Sequence, residues 1–578
     1  MSRDGLPSRE LISFLLFDWL GEDQRGTDRD TALSILDTAQ KLAVDAFLSC
    51  YRKSDVEEPY LDESGVHILP EFAAALGQFA KLGLFGASFP EAEGGMGLSN
   101  LLSSAVLHMT FAAANPAAAG YAMLTVANAR LISAFGSSEQ KRRFADPQIA
   151  GRWFGTMCLS EPQAGSSLGD IRTRARAEGE DEIGQRYRLV GNKMWISGGD
   201  QDASENIVHL VLAKAEQPDG TLAEGSLGIS LFIVPKILPD GSRNDVTVAG
   251  LNHKLGARGT SNCLLNFGEQ EGAVGWLVGR EGQGLPQMFM MMNEARINIG
   301  IAAAALAYRA YRESLRYARE RAQGRPVGVQ GGPPVAIIEH PDVRRMLLQQ
   351  KAYVEGAIAL CLYAAKLVDE EGEEAAELLA LLTPVVKTWP SEFCLVANDL
   401  AIQIHGGYGY TRDFPVEQLW RDNRLNPIHE GTTGIQAIDL LRRKLLLSDG
   451  RSMALLRRRI AGTARAAAAL PEWASFAQAL TDYWGEVERV LEGLRQCGLP
   501  EALDDATLFQ RGFGHGLVAW LWLDQLLCSR DVPDSGFASG IAHCVRFFFE
   551  AELPQARSWL SIVSHHSDLA RTMPEGAF

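Results

Sequence analysis

Glu430 is the residue around which this sequence could do proton chemistry. It lies in residues 403–436, QIHGGYGYTRDFPVEQLWRDNRLNPIHEGTTGIQ, between a glycine-rich break in one helical pattern and the start of the next. The first pattern runs into Ala401 and Ile402 and breaks at Gly406, Gly407 and Gly409; the second resumes at Thr433. Glycines there let backbone come close to a ligand. Thr432 and Thr433 offer hydroxyls and N-cap capacity, and Pro427 and Gly431 bracket the glutamate on a rigid turn. A carboxylate held that way can act as a base. The same residues also suit a plain helix stop followed by a first-turn charge favoured by the helix dipole.

The elements that must position this turn are legible as textures. Residues 31–144 read as helices, with ALSILDTAQKLAVDAFLSC and LPEFAAALGQFAKLGLFG placing apolar residues three and four apart. Near Gly155 the texture changes to short β-branched runs separated by Gly, Asn, Asp and Pro, which predicts an antiparallel sheet or barrel. After Gly284 the helices return and are long, as a bundle requires. The domains expected are a leader helix at 1–30, a helical domain at 31–150, a β domain at 151–283, a helical bundle at 284–447 and a further helical domain at 448–578. The fold class is therefore α+β and multidomain. No GxGxxG joins a strand to a helix, so a Rossmann dinucleotide site has no support.

Composition narrows the function classes. The 578 residues carry a net charge of −16, which disfavours nucleic acid or an anionic membrane as partner. No apolar run is long enough to span a bilayer, and Glu10 and Asp18 interrupt the N-terminal apolar segment, which reads as an amphipathic leader helix rather than an export signal. The eight cysteines show neither CxxC pairs nor zinc spacing, so no metal is expected. Reduced thiols and a cytoplasmic location fit best.

Three motifs in this order, CLSEPQAGSS at 158–167, GNKMWISGG at 191–199 and the Glu430 stretch, resemble the acyl-CoA dehydrogenase family of flavoproteins over roughly residues 70–447. The likeness extends toward a longer branch, resembling the 3-methylmercaptopropionyl-CoA dehydrogenases and related fatty acyl-CoA dehydrogenases, which adds a leader helix and a C-terminal helical domain. The resemblance implies an N-terminal helical domain, a middle β-barrel-like domain and a C-terminal four-helix bundle. It also implies FAD as cofactor and α,β-dehydrogenation of an acyl-CoA to the trans-2-enoyl-CoA.

In that reading Glu430 takes the α proton while hydride leaves the β carbon for flavin N5. An ordinary glutamate, with a pKa of about 4.3, is weak for a carbon acid. The family's device is a dry pocket, with hydrogen bonds to the thioester oxygen from the Glu430 backbone N–H and a flavin ribityl hydroxyl. Some relatives place the base one residue before an arginine, but Ala295 stands there and Glu294 is out of register. His429 reads as a packing or hydrogen-bonding residue. The cofactor contacts carried over are Leu159 and Ser160 at the pyrimidine edge, Gly165 and Ser166 after them, Trp195 over a ring face and Ser197 near N5. Arg321 is carried over to the pyrophosphate of the neighbouring subunit's FAD, with Gln403, Gly406, Gly407 and Thr432. Ser166, Asn293, Arg296 and Gly431 match substrate-lining positions. Ser167 and Gln418 depart from the usual aspartate and cation, which touches loop packing and subunit contacts more than chemistry.

The partners implied are an acyl-CoA, an electron-transfer flavoprotein and a second copy of the chain, with the tail after Ser448 occupying the bundle face that a second dimer would otherwise cover. An acyl-CoA oxidase and a catalytically idle flavoprotein or binding module are the alternatives with the same architecture.

Overall fold

The computed structural model describes residues 5–24, 27–532 and 535–578. Of the segments expected above, residues 1–4 and 25–26 of the leader and 533–534 of the tail lie outside the described residues. The contacts divide the chain into two compact units. One holds Ser34–Ser99 and Thr110–Ala295; the other holds the described residues before Ser34, Asn100–Met109 and Arg296–Phe578.

The first unit combines helices with the barrel. Within the stretch expected to be helical, a small antiparallel hairpin intervenes, β1 (Tyr60–Asp62) and β2 (Gly65–His67), turning through Asp62 and Ser64. Helix α1 (Pro116–Phe135) starts where the Asn115 side chain accepts the Ala117 N–H at 3.1 Å and Pro116 presets the first turn. Asn128 on α1 donates to the carbonyls of Thr156 (3.0 Å) and Val208 (2.7 Å), so a buried amide fixes this helix on the sheet.

The strands are β3 (Phe154–Cys158), β4 (Arg174–Glu180), β5 (Gln185–Ser197), β6 (Ile207–Ala215), β7 (Ile229–Pro235), β8 (Val246–Leu251), β9 (Asn262–Phe267) and β10 (Ala273–Leu277). β10 pairs with both β7 and β5, which closes β5, β10, β7, β6 and β4 into a five-stranded barrel; β9 and β8 extend from β5. Most pairings are antiparallel as expected, but β6 runs parallel to both β3 and β4. Long connections allow this, because the chain between β3 and β6 has room to cross over. β6 and β7 are buried throughout, which explains why they read as unbroken apolar runs.

In the second unit three long helices, α2 (Gly284–Glu320, which begins in the first unit), α3 (Pro341–Asp369) and α4 (Glu373–His405), are joined by α5 (Thr433–Ile438) and its π-helical continuation Asp439–Leu446. α2 and α4 approach unusually closely: a Cβ on Gly300 would lie 2.2 Å from the Val386 carbonyl. Pro390 has no N–H to offer that carbonyl, which leaves it without its helical donor.

The tail folds into the same unit. Its central helix α6 (Ala506–Cys528) lies on the bundle, with Trp522 Nε1 donating to Ala352 O (3.2 Å), Trp389 Nε1 to His515 Nδ1 (3.0 Å) and Arg511 clasping Glu392. The leader is two-faced, as expected: Arg9, Glu10 and Asp18 are exposed. Leu11, Ile12, Phe14, Leu15, Leu16, Phe17 and Leu20 are all buried, and Trp19 Nε1 donates to Asp524 on α6 at 2.9 Å. Among the described residues no helix is long and apolar enough to cross a membrane.

Candidate functional site

Glu430 sits on the turn just before α5, with φ +52, a left-handed conformation that a side chain rarely adopts. Such strain costs on the order of 1–3 kcal/mol and persists only where neighbours fix it. Here they do. Gln436 Nε2 donates to the Glu430 carbonyl (2.9 Å), Lys387 Nζ donates to the Gly431 carbonyl (2.7 Å), and Thr433 N–H closes the turn onto Pro427 O (3.2 Å). Gly431 has no substitute: its φ is +88, and a Cβ would meet Gln436 Nε2 at 2.6 Å. Thr432 takes the N-cap position of α5 without spending its hydroxyl on the cap.

Glu430 is part-buried, with protein packed around its carboxyl while solvent still reaches it, and those surroundings decide its chemistry. Burial raises the Glu430 carboxyl above the ordinary carboxylate range, with Arg296 and Lys387 pulling the other way. Among the described residues no donor reaches that carboxylate, and the Glu430 N–H meets no acceptor. A carboxylate without donors beside an uncommitted N–H is what proton abstraction next to a carbonyl requires.

His429 is neutral: burial, then Lys387, hold its imidazole down at about 3. Its Nε2 donates to Asn426 Oδ1 (3.0 Å), and the amides continue through Asn423 to Asn398 on α4, at 2.8 and 2.6 Å. That ladder anchors the turn, the hydrogen-bonding role expected from the sequence. Arg296 is buried and bound to Asp439 at 3.0 Å, so its guanidinium is a fixed charge beside Glu430.

In the first unit the flavin-motif residues come together. Ser160 O accepts the Met194 N–H at 3.0 Å, which ties the CLSEP loop to β5. β5 bulges between Lys193 and Ile196 against β9, and the extra residue puts Trp195 at φ +66 with its side chain out: Trp195 is 58% exposed. Taken alone, a tryptophan within a strand reads as core, so this placement is a difference with a cause, the bulge. Ser197 accepts Asn262 Nδ2 at 3.2 Å, which leaves its own O–H free to donate. Gly165 and Ser166 are exposed, and no atom lies within 4 Å of where a Gly165 Cβ would be. An outward tryptophan on a strained bulge, two residues from a hydroxyl free to donate, fits the face and edge of a flavin. Asn293, on α2, is half-buried.

In the second unit Gln403, Gly406 and Gly407 are exposed at the end of α4, with open space at both glycines. Arg321 lies at the end of α2 with its guanidinium 5.9 Å from the Tyr408 ring, so the structure brings it to the same turn. An exposed arginine over open glycine backbone fits a phosphate group. Ser167 hydrogen-bonds Asp170, which restores a carboxylate to the loop whose usual aspartate is missing. Gln418 is buried.

Sequence reasoning missed four positions. Glu161 and Lys193 form a buried ion pair at 2.9 Å that joins the CLSEP loop to β5, and Lys193 Nζ also holds Leu159 O at 3.0 Å. Both stand inside quoted motifs, SEP and GNK, where their charge was the available signal. Lys387 and Gln436 hold the Glu430 turn; Lys387 could have been noticed as a lone charge in the apolar run LLTPVVKTWP.

Family models match along the chain: the acyl-CoA dehydrogenase N-terminal domain at 43–152, the middle domain at 156–269, the C-terminal domain at 282–445 and an acetyl-CoA dehydrogenase C-terminal-like domain at 456–574. The chain is 40% identical over 417 residues to the 3-methylmercaptopropionyl-CoA dehydrogenase of Ruegeria pomeroyi, covering 69% of this chain and 68% of that one. It is 32% identical to the broad-specificity linear acyl-CoA dehydrogenase FadE5 of Mycobacterium tuberculosis, covering 98% of each. Caenorhabditis elegans ACDH-11, solved with C11-CoA, shares the fold at a TM-score of 0.78 and 19% identity, covering 99% of this chain and 95% of its own. An acyl-CoA dehydrogenase of Bacillus anthracis solved with FAD gives a TM-score of 0.70 at 20% identity, covering 100% of this chain and 92% of its own. With strained Glu430, outward Trp195 and four consecutive domain matches in place, the chain belongs to the acyl-CoA dehydrogenase family of FAD-dependent oxidoreductases.

Proposed function

We propose that the protein dehydrogenates an acyl-CoA thioester across its α and β carbons to the trans-2-enoyl-CoA, with Glu430 as the base. The observation that carries this reading is Glu430 itself, part-buried on a strained turn, its carboxyl raised in pKa and met by no donor among the described residues, with its own N–H free. Bound FAD supplies the acceptor for the β hydrogen as hydride. Leu159, Ser160, Gly165, Ser166, Trp195 and Ser197 would hold the flavin ring and its surroundings; Arg321, Gln403, Gly406, Gly407 and Thr432 would meet its phosphate portion. The Glu430 N–H donates to the thioester oxygen, which acidifies the α carbon, and the carboxylate then takes the α proton. Ser166, Asn293, Arg296 and Gly431 are the substrate-facing set, Gly431 by letting the thioester pass close to backbone.

The purified protein should be yellow, with about one FAD per chain, and an acyl-CoA should bleach it without oxygen. A protein that cannot be loaded with FAD would sink the reading. Rapid peroxide formation without another acceptor would reassign it to an oxidase; slow reoxidation supports an electron-transfer flavoprotein as acceptor.

The same reading includes a homodimer, in which Arg321 reaches the partner's FAD and the tail occupies the bundle face that a second dimer would take. The contacts of α6 with α3 and α4 support it. Light scattering that gives a tetramer for the intact chain would count against it.

A further inference from the structure

Lys387 is the buried charge that the proposed chemistry leaves unexplained. It lies in the middle of α4, fully buried, where the neighbouring Val385, Val386 and Trp389 are core side chains. Its ammonium carries three N–H donors, yet the hydrogen bond it makes is to the Gly431 carbonyl at 2.7 Å. Among the described residues no carboxylate stands within ion-pair distance of Nζ. An enclosed lysine without a paired anion is costly and usually gives up its proton. Burial does pull this one down, to about 8, with Glu430 pushing back up. The charged and titratable groups that act on it or beside it are Glu430 and His429 on the turn, Arg296 on α2 with its partner Asp439, and Glu392 on α4.

We infer that Lys387 is a positioning residue for the base: its ammonium fixes the Glu430–Gly431 turn from behind and adds, with Arg296, a positive charge beside the Glu430 carboxyl. The inference rests on the Glu430 reading and adds the group that tunes it. Two functions meet in one side chain. The hydrogen bond to Gly431 O does mechanically what Gln436 does at the Glu430 carbonyl, whereas the charge has no counterpart in Gln436. Arg296 pulls the same carboxyl down more than Lys387 does, so Lys387 adds to a positive field already present, and the pull of one such charge is on the order of one unit. Removing it therefore raises the Glu430 pKa further, and the base is available only at higher pH.

The two functions separate in variants of the full-length holoenzyme. In Lys387→Met the acid limb of the single-turnover rate should move up by about one pH unit, with a lower plateau as the turn loosens. Gln436→Leu should lower the plateau and leave the limb in place. A second readout needs no turnover: the infrared band of the protonated carboxyl, identified by its absence in Glu430→Gln, should titrate about one unit higher in Lys387→Met. Should Lys387→Met not fold, Lys387→Gln, polar and of similar volume, carries the same expectation. A limb and a carboxyl band that stay where they are in the wild type would overturn the inference while leaving Glu430 as base. Full turnover by Glu430→Gln would overturn the base itself, a distinct outcome.

Discussion

Lys193 in the barrel and Lys387 in the bundle are both enclosed lysines with a glutamate near, and the protein provides for them differently. Lys193 touches the Glu161 carboxylate directly and the Leu159 carbonyl as well. Glu161 in turn accepts from Thr173 N and Oγ1, Arg172 N and Gln163 Nε2. Burial would raise its carboxyl, but Lys193 and these donors outweigh it and hold the group at about 2. Lys387 reaches a backbone carbonyl instead, and Glu430 keeps no donor. A saturated buried pair is fixed in one protonation state and serves as a staple; a buried pair kept apart leaves a proton to move. The difference lies in how many lone pairs are already satisfied, since both pairs are lysine with glutamate.

Breaking the second pair should give the largest effect. Glu430→Gln is nearly isosteric, so FAD and acyl-CoA binding should persist while α-proton removal slows by about 10² to 10⁴ or more, read as the rate of anaerobic flavin bleaching. Near-normal turnover would show that Glu430 is no more chemical than Glu161.

Breaking the first pair should act on stability instead. Lys193→Met strands the Glu161 charge among its donors and should cost about 3–5 kcal/mol in urea unfolding of the barrel unit. The pH dependence of the remaining holoenzyme's chemistry should stay unchanged. A moved acid limb with unchanged stability would erase the contrast between the pairs.

A smaller effect sharpens it through pH. The Glu161 carboxyl is lowered on folding from 4.5 to about 2, so its stabilisation is fully present above its unfolded pKa and is lost as pH falls through the window down to about 2. The urea midpoint of the barrel unit should drop across that window, and Glu161→Gln, less stable at neutral pH, should flatten the drop. The smallest effect is expected at Arg321, an exposed cation outside both pairs. Arg321→Ala should weaken FAD retention by about tenfold, measured by ultrafiltration, with the protein otherwise intact.

Particular residues show where the sequence was readable. The glycine break at Gly406 and Gly407 and the helix restart at Thr433 were legible because glycine and N-cap positions act locally. The hairpin at 60–67 was not, since three-residue strands carry too little periodicity to stand out from flanking helices. By local alternation alone Trp195 would read as core, against the ring-face placement that the resemblance implies, and only pairing with β9 reveals the bulge that turns it outward. The leader read as amphipathic and is so, with Arg9, Glu10 and Asp18 outward, but residues 8–20 contain no information about α6, to which Trp19 bonds.

The sequence by itself determined the family, the order of helical and β textures and the identity of the glutamate, because motifs and periodicities are properties of neighbouring residues. Only the tertiary structure decided which charges became staples and which stayed reactive. Lys387 lies 43 positions before Glu430, and Lys193 lies 32 after Glu161. Whether such a lysine meets a carboxylate or a carbonyl depends on how α4 passes the turn and how β5 passes the loop, distances that packing sets and no local pattern records.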